Sequence, residues 1–132
     1  MDTTILLNRA AMAVSALGKG KSTQVNKLLD VLSTKEGKDG ILRVQEHLVY
    51  QSAGGRNLLS SEFCRRVYED LRDIMRSEDS SESEIAKRAQ TYLTHIKRLY
   101  KGAEGRNVNI RDEKNAFDEL ASQVLKKATG GR

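Results

Sequence analysis

Three arginines in one segment form the first candidate for chemistry. Opposite the apolar residues of the segment that begins at Ser60, basic residues recur at steps of seven and four: Arg65, Arg72 and Arg76. At about 100° per residue, such steps return to one side of a helix. Glu69 lies among them and can pair with Arg65 or Arg72, which would neutralise part of this basic face.

A second basic face is predicted on the segment that begins at Ile85. Its outward side carries basic and hydroxyl residues without an acid: Lys87, Thr91, Thr94, Arg98 and Lys101. Such side chains can follow a nucleic-acid backbone, because phosphate contacts supply affinity without reading the base sequence. The alternative interpretation is the solvated outer face of an ordinary surface helix.

The patterns that could support nucleotide hydrolysis or acid–base catalysis are incomplete. Gly20-Lys21-Ser22 resembles the end of a phosphate-binding loop, but the first glycine of that motif falls at Ser15, and an amphipathic helix precedes it instead of a strand. We interpret these residues as a basic turn, with Ser22 capping the next helix. The carboxylates cluster in loops and first helical turns, and nothing indicates a desolvated catalytic pocket.

His47, His95 and Cys64 are the residue types best suited to a metal site or a covalent intermediate. Neither histidine stands at ligand spacing from the other, from Cys64 or from a carboxylate on the same helical face. We expect His95 at a boundary of the core and Cys64, beside Phe63, packed as a small apolar residue. The sequence therefore predicts no metal, no cofactor and no catalysis.

The composition indicates that helices position these residues. The chain has 132 residues, no proline and 5% aromatic residues, and strong helix formers fill its long segments. This predicts an all-α fold, a compact bundle of about five to six helices. We expect a single domain over residues 1–128 and a frayed tail over residues 129–132.

Apolar residues at three- and four-residue steps predict where the helices lie. The first covers residues 3–17 with Thr3 or Thr4 as its N-cap, and the second begins at Ser22. After a loop over residues 34–40, helices are predicted over residues 41–53, 60–76, 85–102 and 117–128. Gly54-Gly55 ends the helix over 41–53, and Ser60 or Ser61 caps the helix over 60–76. Ser81 and Glu84 form a capping box before the helix over 85–102. Residues 77–83 are predicted to be a solvated, disordered loop. In the last helix the predicted buried residues are Phe117, Leu120, Ala121, Val124, Leu125 and Ala128.

Charge and cysteine content limit the partners and the compartment. The net charge of +5 makes a polyanionic partner plausible. One cysteine cannot form an internal disulfide, no apolar run reaches membrane-spanning length, and the first residues lack the basic start of a secretory signal. We predict a cytoplasmic protein with no membrane partner.

Two stretches of the chain resemble a known family. They read Tyr92-Leu93, Ile96-Lys97 and Tyr100, followed by Gly105-Arg106, after a helix that begins Ser60-Ser61-Glu62-Phe63 and runs to Ile74. Over residues 58–125 this pattern resembles the helical small subunits of multisubunit CRISPR effector complexes, particularly of the type III group. The resemblance implies a non-catalytic subunit that binds RNA and other subunits, with Lys97, Tyr100 and Arg106, and less directly Ser61 and Arg65, as the corresponding residues.

Together these features predict a subunit that binds RNA or single-stranded nucleic acid by its backbone. It would pack against copies of itself or against larger subunits of a ribonucleoprotein complex. Two alternatives stay open: a helical protein-interaction adaptor of viral or mobile-element origin, and a helix-turn-helix DNA-binding regulator. The regulator is the weaker one, because no helix pair combines a tight turn with a polar recognition helix.

Overall fold

A computed structural model describes residues 1–52, 59–77, 80–104 and 106–129 of the chain, with side chains up to residue 125. These residues form six α-helices and a 3-10 turn, and they contain no strand. The helices are α1 (Thr3–Ser15), α2 (Ser22–Leu32), α3 (Gly37–Ser52), α4 (Ser61–Met75), α5 (Glu82–Ala103) and α6 (Ala116–Thr129), with the 3-10 turn at Glu113–Asn115. The predicted all-α bundle is confirmed. No helix in these ranges is long and apolar enough to cross a membrane.

The longest helix, α5, is the centre of the bundle. It packs against each of the other five α-helices. Its buried side chains recur at three- and four-residue steps, which keeps them on one side of the helix: Ile85, Ala89, Tyr92, Leu93, Ile96, Tyr100 and Ala103. Leu99 is only partly buried, because the stripe continues through Tyr100. One side of α5 is therefore left for solvent.

Helix α1 packs closely against α5 because its buried face is built from small residues. Ala10, Ala11 and Ala13 are fully inaccessible to solvent. Interaxial distance depends on the side chains at the contact, so alanines let two helices approach more closely than leucines would. Leu6 and Val14 complete the same face.

Local hydrogen bonds define the starts of the helices, and some differ from the prediction. Ser60 and Ser81 cap α4 and α5 as predicted, accepting bonds from the amides of Phe63 and Glu84 at 3.2 Å. The prediction for α1 was wrong: Asp2, not a threonine, accepts the bond from the amide of Ile5 at 2.9 Å.

The turn between α2 and α3 is shorter than predicted. The expected loop over residues 34–40 was wrong at its end, because α3 begins at Gly37 and leaves four residues, 33–36, between the helices. Gly40 is buried inside α3, where a Cβ atom would lie 2.5 Å from the carbonyl oxygen of Leu32 and 2.6 Å from that of Lys35. Glycine at this position allows α2 to approach α3 closely. The predicted end of the helix at Gly54-Gly55 lies outside the described residues.

Helix α6 packs at the edge of the bundle, against α1 and the end of α5. Asn8 of α1 supplies its cap, because the Asn8 Oδ1 accepts a bond of 2.9 Å from the amide of Phe117. Leu120 is buried as predicted, whereas Leu125 is 62% exposed, so its predicted burial was wrong. A helix with so few neighbours has only a narrow buried side. Ala128 and residues 130–132 lie outside the described side chains and residues.

Candidate nucleic-acid interface

The predicted basic face of α5 lies on the side of that helix that the bundle leaves open. Lys87, Arg98 and Lys101 are exposed, and the threonines at 91 and 94 are partly buried between them. From Lys87 to Lys101 the helix rises about 21 Å at 1.5 Å per residue. We call these three basic residues the α5 face. Lys97 is exposed beside them.

The cations of the α5 face have no carboxylate partner. None of Lys87, Arg98 and Lys101 belongs to an ion pair among the described residues. Local sequence contributes to this, because residues 85–103 contain no aspartate or glutamate; Glu84 and Glu104, three residues from Lys87 and Lys101, are not paired with them. At the helix spacings of three and four, Arg98 has only Thr94, His95, Lys101 and Gly102 as neighbours.

The pKa of His95 is affected by the positive charge of this surface. Burial lowers the pKa of His95, and the nearby guanidinium of Arg98 lowers it further. Its Nε2 atom is buried and makes no hydrogen bond. His95 thus lies at the boundary of the core, as predicted, beside an uncompensated cation.

The basic residues of α4 have a different environment. The Nη2 of Arg65 lies 2.9 Å from Glu62 and its Nη1 lies 2.8 Å from Glu69. Glu62 also accepts a bond of 3.0 Å from Arg66. The predicted pairing of Glu69 with Arg65 is confirmed, and the hydrogen bonds from Arg65 and Arg66 lower the pKa of Glu62.

The other two predicted residues of α4 differ in their exposure. Arg76 is exposed at the end of the helix, and Arg72 is partly buried, with an Nε atom that is inaccessible and makes no hydrogen bond among the described residues. Because α4 turns its apolar side toward the core, these arginines project from the opposite side of that helix.

A polar network joins α1, α4 and α5, and the sequence did not reveal it. Arg9 bridges Asp70 at 3.0 Å and Asp73 at 2.7 Å, and the buried hydroxyl of Tyr92 donates to Asp70. Burial raises the pKa of Asp70 to about 6, although Tyr92 and Arg9 favour its charged form. The only available signal was the hydroxyl of Tyr92 within an apolar stripe, since a buried hydroxyl needs a partner.

The C-terminal end of α5 meets the basic loop between α1 and α2. The Tyr100 hydroxyl donates to the carbonyl oxygen of Gly18 at 2.7 Å and accepts from the amide of Lys21 at 2.9 Å. The predicted capping of α2 by Ser22 was wrong, because the Ser22 hydroxyl instead donates to Glu104 at 2.7 Å. Arg106 is partly buried at this end and donates to the carbonyl oxygen of Gly102 at 3.0 Å.

The described residues offer no metal centre and no activated thiol. No group of three histidine, cysteine, aspartate or glutamate side chains among them could hold a metal ion. Cys64 is buried in the core, as predicted, and burial raises the pKa of its thiol to about 11. A thiol with that pKa is protonated at neutral pH and a poor nucleophile.

Comparisons with known proteins identify no relative. The chain matches no protein-family model, no curated protein and no solved structure. The geometry of the described residues is therefore the basis for a functional proposal.

Proposed function

We propose that this chain is a non-catalytic subunit that binds RNA or single-stranded nucleic acid through backbone phosphates. The observation that carries the proposal is the α5 face, three exposed cations along about 21 Å of one helix without an ion pair among the described residues. A charge with no partner among the described residues breaks none of their ion pairs when it meets a phosphate. Binding of this kind is independent of base sequence.

A straight row of cations on a convex helix fits a flexible strand. Backbone contacts to a single strand release counterions, which lowers the logarithm of the binding constant by about 0.7 per contact for each tenfold rise in salt. Three contacts from the α5 face would therefore give a slope of about −2. A steeper slope would indicate that more cations take part.

Charge reversal on the α5 face tests the proposal. We expect K87E/R98E/K101E to lose binding to a fluorescein-labelled 15-nucleotide oligouridine at 50 mM salt, measured by fluorescence anisotropy. The control is K27E/K35E/K38E, which changes the net charge equally at exposed lysines of α2, α3 and their connection. Equal losses in the two variants would show that overall charge alone is responsible, and unchanged binding in the first would refute the assignment.

The wider setting of this proposal is the small subunit of a type III CRISPR effector complex in the cytoplasm. Its supports are the sequence resemblance over residues 58–125 and the all-α fold. We expect the chain to co-purify from its native host with RNA and with larger subunits. Association that survives nuclease treatment, with no RNA present, would instead favour a protein-interaction adaptor.

An exposed apolar surface supports a second candidate function, self-association through α3. Leu42 and Val49 are more than half exposed, two helical turns apart on one side of α3, and Tyr68 of α4 lies beside Val49. The flanking charges alternate in sign, with Arg43 3.8 Å from Glu46. A second copy related by a two-fold axis can set such charges against their opposites.

The oligomeric state tests this second candidate. We expect sedimentation velocity to show a dimer at about 100 μM, since a small apolar interface is weak, and L42E/V49E to sediment as a monomer. The control L125E changes an exposed leucine on α6, away from this surface. A wild-type protein that stays monomeric at this concentration would refute self-association.

The helix-turn-helix alternative gains the short turn at residues 33–36. However, the exposed side of α3 carries the apolar residues Leu42 and Val49 among its charges, which is unlike a polar recognition helix.

A further inference from the structure

The basic loop between α1 and α2 has no role in the α5 face, yet the fold places it against the C-terminal end of the same helix. Tyr100 stands three residues after Lys97 and one before Lys101, and its buried hydroxyl bonds both ends of the loop. The loop contains Gly20 in a left-handed conformation, with φ of +74°, which glycine adopts without strain. The conformation of the loop thus depends on the turn at Gly20 and on the two hydrogen bonds of the Tyr100 hydroxyl.

A small open cavity lies between this loop and the segment that follows α5. Its volume is about 60 Å³, and its polar lining includes Lys19, Glu104, Arg106 and Asn107. Lys19 is exposed and belongs to no ion pair among the described residues. The Arg106 guanidinium has one bond, to the carbonyl oxygen of Gly102, and keeps further N–H donors.

Glu104 is the acidic residue that lines this cavity, and its carboxylate already accepts a hydrogen bond from the first residue of α2. Its Oε2 accepts the hydroxyl of Ser22 at 2.7 Å. Among the residues that line the cavity, Lys19 and Arg106 are basic and Glu104 is acidic. The lining therefore carries two cations against one carboxylate, and this net positive charge suits a phosphate and disfavours a cation.

We infer that Lys19 and Arg106 bind a backbone phosphate of the nucleic acid at this cavity, with Tyr100 as the positioning residue that holds the loop in place. This inference rests on the proposed function and extends it, because the strand would run along the α5 face and end at the loop. Arginine supplies a planar fork of donors for phosphate oxygens, and lysine supplies a point charge. The bound strand would then have four of its phosphates neutralised instead of three.

Neutralisation of the cavity tests the inference on the full chain with the labelled oligouridine. For K19Q/R106Q we expect the salt slope to become shallower by about 0.7, since each neutralised phosphate of a single strand contributes about 0.7. The control K35Q/K38Q removes two exposed lysines elsewhere and should leave the slope near the wild-type value. Equal slopes in the two double variants would overturn the inference.

Tyr100→Phe separates positioning from charge, because it removes the two bonds to the loop and leaves the net charge unchanged. We expect a severalfold weaker binding and a shallower salt slope, as in K19Q/R106Q. Tyr92→Phe is the control, since Tyr92 is also buried on α5 but bonds Asp70 instead of the loop. A loss of stability alone would lower the melting temperature of both variants and leave the slope at the wild-type value, which would count against a positioning role.

The outcomes distinguish this inference from the proposed function. If K87E/R98E/K101E abolishes binding and K19Q/R106Q behaves as the wild type does, the cavity assignment fails and the α5 face stands. If the wild-type chain does not bind the oligouridine at low salt, both fail. Because Lys19 and Arg106 are not in the core, their variant remains informative even if Tyr100→Phe does not fold.

Discussion

Helices α4 and α5 are neighbours with similar proportions of basic residues, but the cations of the two helices differ in their partners. In α4 the cations alternate with carboxylates three and four residues away, so that Arg65 and Arg66 pair with Glu62 and Glu69. In α5 the residues from 85 to 103 include no acid, and the α5 face has no partner among the described residues. Two basic helices thus differ in whether a cation is available to another molecule.

The acids of α4 also serve the interior of the bundle. Asp70 and Asp73 hold Arg9 of α1, and Asp70 accepts the hydroxyl of Tyr92. We therefore expect substitutions within this interior network to change stability, and substitutions that pair or free the exposed cations of α4 and α5 to change binding. The four predictions below test this division, beginning with the largest expected effect.

Asp70→Asn should remove a pH dependence of stability. The folded pKa of Asp70, about 6, is above its ordinary value of 3.8, so its stabilising contribution is complete below pH 4 and is lost as the pH rises through 6. Relative to D70N, the wild-type free energy of unfolding should fall by about 3 kcal/mol between pH 4 and pH 7. Urea denaturation at several pH values measures the difference, and parallel profiles would contradict it.

Arg9→Met should destabilise the fold because it leaves Asp70 and Asp73 without their cation. Removing one partner of a buried pair costs several kcal/mol, and since the Arg9 side chain is 35% exposed, solvent reduces the expected cost to about 2 kcal/mol. The control R43M breaks an exposed pair and should cost less than about 0.5 kcal/mol. Equal midpoints of denaturation would show that the network contributes nothing.

Acids introduced into α5 should make it resemble α4. In T91E/T94E, the carboxylate introduced at position 91 can pair with Lys87 and the one introduced at position 94 can pair with Arg98, each at a spacing of four. We expect oligouridine affinity at 50 mM salt to fall about tenfold, or about 1.4 kcal/mol. S33E/T34E, at the exposed turn after α2, adds the same charge elsewhere. If both variants bind alike, pairing within the helix is not what limits binding.

Removal of acids from α4 should make it resemble α5. E62Q/E69Q frees Arg65 and Arg66 from their partners on α4. We expect a gain in affinity of about threefold and a steeper salt slope. D39N/E46Q on α3 is matched in charge and should gain less. A result in which the two variants gain equally would assign the effect to net charge.

Features that depend on residues close in sequence were predictable. Three such features are the apolar stripes of α4 and α5, the caps at Ser60 and Ser81, and the pairing of Arg65 with Glu69. In each of them, neighbouring members are at most four positions apart in the sequence. The start of α3 was missed for a related reason, because glycines at 37 and 40 disfavour a helix in isolation. Packing of α2 against Gly40 compensates for the low helix propensity of these glycines.

Features that join distant residues were not predictable. Tyr92 meets Asp70 across 22 positions, Asn8 caps α6 across 109, and Tyr100 meets Gly18 across 82. Each bond exists because helix packing brings the two segments together, and no spacing in the sequence specifies which segments meet. The same reason explains why the sequence did not indicate that Lys19, beside the predicted basic turn, lines a cavity with Arg106.

The sequence by itself determined that the chain forms helices and that one side of α5 carries cations without acids, since both depend on periodicity and on neighbours within one helical turn. The tertiary structure decided which side of α5 stays open, because five other helices cover the rest. It also decided that the Gly18–Lys21 loop lies against the C-terminal end of α5. Long-range packing, which carries no local signal, made a row of basic residues into a candidate surface.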